Sequence, residues 1–256
     1  MLKVYLCCQL KIKSGKSLLK IIRKILILLG YSVTRYPSKS IKDLQSIIQY
    51  CKTDLILDAG ANTGQFADWI QTFGYRGAIF SFEPMEKEYQ ILLQNSKKNP
   101  KHLIAPKCAL GAENGTTSIN VSENSVSSSL LQASDYVLSQ TKGIEYIKTE
   151  EVAIRRLDSF ADEEPVKSAK NIFLKIDVQG FEDKVIIGAE GIMNKINGIL
   201  VEVSLPVIYE GQPMLNDILQ LTEKYHFEPY YFIPHTTTDQ KHRMLQVDIV
   251  FIKKNV

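Results

Sequence analysis

Leu55-Ile56-Leu57 runs directly into Asp58-Ala59-Gly60-Ala61-Asn62-Thr63-Gly64, after which Phe66, Trp69, Ile70 and Phe73 recur at helical spacing. A short apolar run that ends at glycines and gives way to an amphipathic helix reads as a buried parallel strand feeding a crossover. That turn constrains the fold strongly, because parallel neighbours need a connection long enough to cover the sheet. The same alternation then recurs. Residues 78–82 read as a strand ending at Glu83-Pro84, and 86–97 as a helix with Tyr89, Leu92 and Leu93 on its apolar stripe. Residues 103–110 read as a weaker strand, since Pro106 interrupts it. Further on, 172–177, 199–203, 227–233 and 246–252 are strands, with helices at 181–194 and 214–225. The expected fold is α/β, a mostly parallel sheet with helices on both faces. The last two strands have no helix between them, so the final one is expected to run antiparallel. Residues 111–157 interrupt the rhythm. They contain strands near 116–121 and 151–157 and the Ser-rich loop 124–131, with too few apolar residues for a core of their own, and read as an insertion.

Ligands of such sheets bind at the carboxyl ends of the strands, which singles out Asp58, Glu83, Asp177 and Glu202. At the first turn, glycine lets the backbone bend tightly and a ligand approach closely. A dinucleotide fingerprint would be GxGxxG, but counting from Gly60 its middle position is Asn62 and its last is Gln65. A nicotinamide-dependent oxidoreductase is therefore the weaker reading. S-adenosylmethionine fits better: Asp58 and the Gly60 backbone would face the charged methionyl end, and Glu83 would accept from both ribose hydroxyls.

The blocks LILDAGANTGQF, FSFEP, NSVSSSLL, RLDSF, LKIDVQGFEDKVIIGA, YEGQP and LQVDIVF occur in an order that resembles the FkbM-type S-adenosylmethionine-dependent methyltransferases, over roughly residues 50–252. The resemblance implies a class I methyltransferase (Rossmann-like) fold and methyl transfer to an oxygen of a sugar, polyketide or other small natural product. It implies that Asp58, Gly60, Asn62 and Gly64 form the methionine loop, that Glu83 with Pro84 meets the ribose, and that Ala109 and Leu110 lie near the adenine. Many relatives carry Glu where Gln179 stands, so that position is assigned no catalytic role.

Methyl transfer to a hydroxyl needs an aligned acceptor and a base. Asp177 is the candidate base, with capping of the following helix as the competing role. Glu202, an acid between valines at a strand end, is a second candidate. Glu182 reads as a first-turn helix residue. Asp177 and Glu202 could together hold a divalent ion, but no third ligand is evident, so no metal is assigned. His235 and His242 read as solvated loop histidines. Ser127, Ser128 and Ser129 are candidates for acceptor binding or a lid, against a flexible linker. A non-catalytic, cofactor- or partner-binding member of the same fold is the rival from outside the enzymes.

Charge divides the chain. Residues 1–42 hold ten basic and no acidic groups, leaving 21 basic and 28 acidic in the remainder, although the whole is only +3. This split excludes a globally basic nucleic-acid binder and describes an acidic enzyme (50–256) with a basic arm (1–49). Within the arm, Leu18, Ile21, Ile22, Ile25, Leu28 and Leu29 share one helical face, with Lys16, Lys20, Arg23 and Lys24 on the other. That helix either packs on the main domain or lies in the plane of an anionic membrane through residues 1–36. Charges within the apolar run and the poor cleavage site Gly30-Tyr31-Ser32 speak against export. Cys7, Cys8, Cys51 and Cys108 show no metal or disulfide spacing. The expected location is cytoplasmic, peripheral to the membrane's inner face if the arm engages it, and the expected partner is a small-molecule or glycan acceptor.

Overall fold

The computed structural model describes residues 39–140, 143–235 and 238–254. Helix α1 (Lys39–Tyr50) leads into β1 (Leu55–Ala59), α2 (Gln65–Thr72), β2 (Ala78–Phe82), α3 (Glu86–Ser96) and β3 (His102–Ile104). Then come β4 (Ala109–Leu110), β5 (Gly115–Ser122), α4 (Asp135–Gln140) and β6 (Tyr146–Arg155). The alternation resumes with β7 (Ile172–Ile176), α5 (Glu182–Gly188), β8 (Ile196–Ser204), α6 (Leu215–Lys224), β9 (Phe227–Pro234) and β10 (Gln246–Lys253).

Seven strands form the main sheet in the order β3-β2-β1-β7-β8-β10-β9. The pairs from β3 through β8 are parallel. The last strand inserts antiparallel between β8 and β9, as the missing crossover helix requires. Strands β1 and β7 lie side by side at the centre with every residue buried, which explains why their sequences are nearly continuous apolar runs. Their carboxyl ends therefore meet in the middle of the sheet, where the functional side chains gather.

Pro106 divides the segment read as one strand. It has no N–H for a ladder, and the chain leaves the main sheet after β3 and joins a second sheet at β4. That sheet, ordered β4-β6-β5, holds a small buried cluster of Met85, Ala109, Ile119, Val121 and Val152. The segment expected to lack a core thus shares one with Met85 from the main domain. The helix read over 181–194 ends at Gly188 and continues as a single 3-10 turn, Glu190–Ile192. A Cβ at Gly188 would lie 2.1 Å from the Gly111 carbonyl oxygen, so glycine there is required by close packing, at a cost in helix propensity.

Residues 45–256 form one compact unit. The amphipathic segment 17–29, and with it the membrane reading of residues 1–36, lies outside the described residues. Among the described residues no helix is long and apolar enough to cross a membrane. Cys51 and Cys108 are buried free thiols.

Candidate active site

The loop after β1 is left-handed at three positions: Gly60 (φ 76°), Asn62 (φ 48°) and Gly64 (φ 93°). Gly60 admits no side chain, because a Cβ would sit 1.9 Å from the carbonyl oxygen of Asp177. The end of β1 is thus pressed against the end of β7. Asn62 tolerates its conformation because its side chain bonds locally: Oδ1 accepts from the Thr63 N–H (2.9 Å) and from Gln65 Nε2 (3.1 Å). The backbone N–H of Asn62 in turn donates to Glu83 Oε2 at 2.8 Å, and Met85 N–H donates to Oε1 at 2.9 Å. Glu83 is only 2% exposed. Burial pushes its carboxyl up to about 7, against the pull of those two backbone donors.

Glu83 lines an open cleft together with Gly60, Asn62, Pro84, Ala109, Leu110 and Asp177. Met85, Ile119 and Leu130 add apolar wall. A recessed carboxylate with free lone pairs beside a narrow apolar slot suits a ribose diol joined to a flat base, so the residues present fit an adenosyl cofactor. Asp58 and Gly64 are not in the lining. Asp58 is fully buried under the loop, 3.2 Å from Lys175 Nζ and accepting from Ser81 Oγ at 3.2 Å. Its carboxylate is covered by the loop and braces it through Lys175, whose ammonium donates to the Gly60 carbonyl at 2.9 Å. Lys175 also lies 3.6 Å from Asp177. Burial alone would lower its pKa, but the charges of Asp58 and Asp177 outweigh that and hold it above the usual lysine range. In the sequence Lys175 looks like one more strand residue; its signal is a lysine within the apolar run IFLKI.

Asp177 faces this cleft and also a second, adjoining one lined by Phe66, Lys175, Glu202, His235 and Asp248. Its partners are side chains, Lys175 and Gln179. It does not cap α5. The Gly180 N–H there is taken by Glu182 Oε1 at 2.9 Å, so Glu182, 5% exposed, is the local brace. Glu202 stands directly across from Asp248 on the neighbouring strand, an arrangement of like charges that needs a neutralising group. The His235 ring lies between them, with Nε2 3.0 Å from Asp248 Oδ2 and Nδ1 3.6 Å from Glu202 Oε1. The hydrogen bond to Asp248 raises the His235 pKa despite burial. Burial first, then the charges of Asp177 and Asp248, raise Glu202 well above the usual range. His235 is therefore a member of a charged cluster and no solvated loop residue. His242 is exposed in a turn away from it.

Gln179 links the two acids: its Nε2 donates to Asp177 Oδ1 and to Glu202 Oε2, both at 2.7 Å. Tyr209 fixes the amide by donating to its Oε1 at 2.8 Å. Of the three candidate serines, only Ser128 lines the first cleft, beside Ser125 and Val126. The Ser128 hydroxyl accepts from the Ser122 N–H (3.1 Å), and the Ser129 hydroxyl donates to the Gln179 carbonyl. Ser127 accepts from the Tyr209 hydroxyl through its carbonyl. These bonds hold the loop, 3-10 at Ser125–Ser127, against β5 and the Gln179 turn.

A mostly parallel sheet with one reversed strand, a glycine loop after β1 and an acid after β2 define the class: an α/β enzyme that binds a nucleoside cofactor at its strand ends. The chain belongs to the FkbM methyltransferase family, its residues 58–229 matching the Methyltransferase FkbM domain. It is 29% identical over 196 residues to the 2-O-methyltransferase NoeI of Sinorhizobium fredii, covering 73% of this chain and 79% of that protein. It is 26% identical over 153 residues to the hexuronic acid methyltransferase AglP of Haloferax volcanii, covering 59% of this chain and 56% of that one. Among solved structures, the O-methyltransferase from Bacillus cereus in complex with SAH aligns with 13% identity and a TM-score of 0.47, over 95% of this chain and 94% of that chain. By its family the protein is a methyltransferase, and its cofactor is S-adenosylmethionine.

Proposed function

We propose that the protein methylates a hydroxyl oxygen on a sugar, a glycan or a small natural product held in the second cleft. The observation that carries this reading is the position of Asp177, whose side chain borders both clefts at the carboxyl end of the central strand. The printed activities of NoeI and AglP support an oxygen acceptor on a sugar. S-adenosylmethionine supplies an electrophilic methyl group and its own leaving group. The remaining work falls to the chain. Gly60 and Asn62 present backbone to the cofactor, Glu83 accepts from the ribose, and Leu110 and Ile119 wall the base.

On the acceptor side, Phe66 offers a flat apolar surface, Asp177 takes the hydroxyl proton, and Glu202 borders the acceptor. Lys175 keeps a cation beside Asp177, and Gln179 fixes its carboxylate. The basic arm would hold the enzyme at the inner face of an anionic membrane, near lipid-linked acceptors.

The test is single-turnover formation of S-adenosylhomocysteine with a panel of sugars and glycans. Asp177→Asn keeps size and the Gln179 contact but cannot take a proton. It should slow transfer by about 10²–10⁴-fold while leaving the melting temperature and S-adenosylhomocysteine affinity near wild type. Wild-type rates in the folded variant would remove Asp177 as the base.

A further inference from the structure

Glu202, His235 and Asp248 present one ligand atom each within 4.8 Å of one another, at the wall of the second cleft. From these residues we propose that the cluster is a divalent-cation site, with its open positions turned to the acceptor. The sequence offered two acids and no third ligand; the fold brings His235 from the end of β9 and Asp248 from β10 to meet Glu202 on β8.

The orientation of Glu202 carries the argument furthest. Two amides, Gln179 Nε2 and Gln246 Nε2, both donate to Oε2. The other oxygen, Oε1, turns toward His235. A carboxylate held by outer hydrogen bonds on one oxygen, with the other directed at a cluster, is the arrangement that supports a metal ligand. Two of the three ligand residues are direct cross-strand partners, so their spacing is set by the sheet ladder. His235 Nε2 and Asp248 Oδ2, 3.0 Å apart, match the spacing of adjacent ligands at roughly 2.1 Å from one ion. A dication also answers the electrostatics. Glu202 and Asp248 oppose each other with only the imidazole between them, and the nearby Lys175 is committed to Asp58 and Asp177.

Two carboxylates with one imidazole suit a borderline ion such as Mn²⁺, between the oxygen-only sites of Mg²⁺ and the nitrogen- and sulfur-rich sites of Zn²⁺. Three protein ligands leave positions for two adjacent oxygens of a polyhydroxylated acceptor, which would be oriented with one hydroxyl toward Asp177. This role rests on the second cleft being the acceptor site; the binding of the ion does not.

The experiment therefore uses the full chain, stripped of metal, with no acceptor present. Mn²⁺ is titrated while the free-ion signal is followed by electron paramagnetic resonance, and pulsed spectra of the bound ion read nitrogen coupling. The expected result is one site with histidine nitrogen coupling. His235→Ala should abolish the coupling, and Asp248→Asn and Gln246→Leu should each weaken binding by about tenfold or more. Melting curves check that each variant is folded; Gln246→Leu leaves all three ligands in place and still reports on the site if a ligand variant misfolds. Absence of binding at millimolar Mn²⁺, or a coupling and affinity unchanged in every folded variant, would overturn the proposal. Methyl transfer by a protein that binds no Mn²⁺ would leave the proposed reaction standing and remove only the ion.

Discussion

Replacing Glu83 by Gln separates the loop bonds this carboxylate makes from its proposed role at the ribose. In the protein alone each oxygen accepts one backbone N–H, from Asn62 at 2.8 Å and Met85 at 2.9 Å. An amide keeps one acceptor and turns an NH₂ toward the other N–H. One buried donor is then left without a partner, which costs about 1–3 kcal/mol of stability. Toward the cofactor, the variant loses the charge on hydrogen bonds from two ribose hydroxyls. Bonds to a charged group contribute about 1.5–3 kcal/mol, so S-adenosylhomocysteine should bind roughly 10- to 150-fold more weakly at pH 8. The pH dependence has a definite sign. Burial raises the wild-type carboxyl from 4.5 to about 7, and donors from ribose favour its charged form. Wild-type affinity should therefore fall as pH drops through about 7, whereas the Gln variant should lack that component. For folding, a raised acid means that the folded state holds more protons than the unfolded one between about pH 4.5 and 7. Glu83's contribution to stability should decline across that window as pH rises and level off above it. Calorimetric titration at several pH values, with thermal melts beside it, measures both. Equal affinities of the two proteins at pH 8, or the same pH slope in both, would refute the ribose assignment.

Lys175→Met should leave the buried Asp58 carboxylate without its cation; truncating one partner of a buried pair costs about 3–5 kcal/mol, readable as a large drop in melting temperature and as loosening of the Gly60 loop in hydrogen exchange. Reversing Lys20 and Lys24 to Glu should release the full chain from anionic vesicles, since each basic residue near such a surface contributes on the order of 1 kcal/mol; cosedimentation equal to wild type at low salt would remove the membrane reading.

The order of strands was legible because buried parallel strands are apolar throughout, and Leu55–Leu57, Ala78–Phe82 and Ile172–Ile176 are such runs. Boundaries failed where a single residue's packing decided them. Helix α5 ends at Gly188, where a neighbouring carbonyl occupies the space of a side chain and only glycine fits, and nothing in the local sequence encodes that neighbour. Helix α4 was missed because six residues (Asp135–Gln140) carry too little periodicity; its start is fixed by Ser134, whose hydroxyl accepts the Val137 N–H at 3.3 Å. His235 was misread for a different reason. A histidine after a strand is usually solvated, and only strand pairing reveals that β9 lies beside β10 and delivers it to Asp248. Asp248 carried the signal already used for Glu202, an acid flanked by buried apolar residues in a strand.

The rule that ligands gather at strand carboxyl ends singled out four acids, and it ranks them equally because it sees only position along the strand. What separates them is how far each is covered and by what. Asp58 is on β1, beside the central strand, and wholly buried beneath its own loop, so its charge is balanced internally by Lys175 and it acts on the loop. Glu83 is one strand out, nearly as buried, yet its neighbours at the rim are backbone donors and apolar side chains, which leave lone pairs for a ligand. Asp177 is the least covered, with 37% of its side chain exposed, and it is the acid common to both clefts. Glu202 lies where the sheet turns antiparallel, and that reversal sets Asp248 against it and calls for a positive partner. In the proposed reaction, acids at four strand ends would thus serve as a brace, a cofactor acceptor, a base and an ion ligand. The difference comes from the neighbouring strands, and the antiparallel last strand makes the second cleft chemically unlike the first.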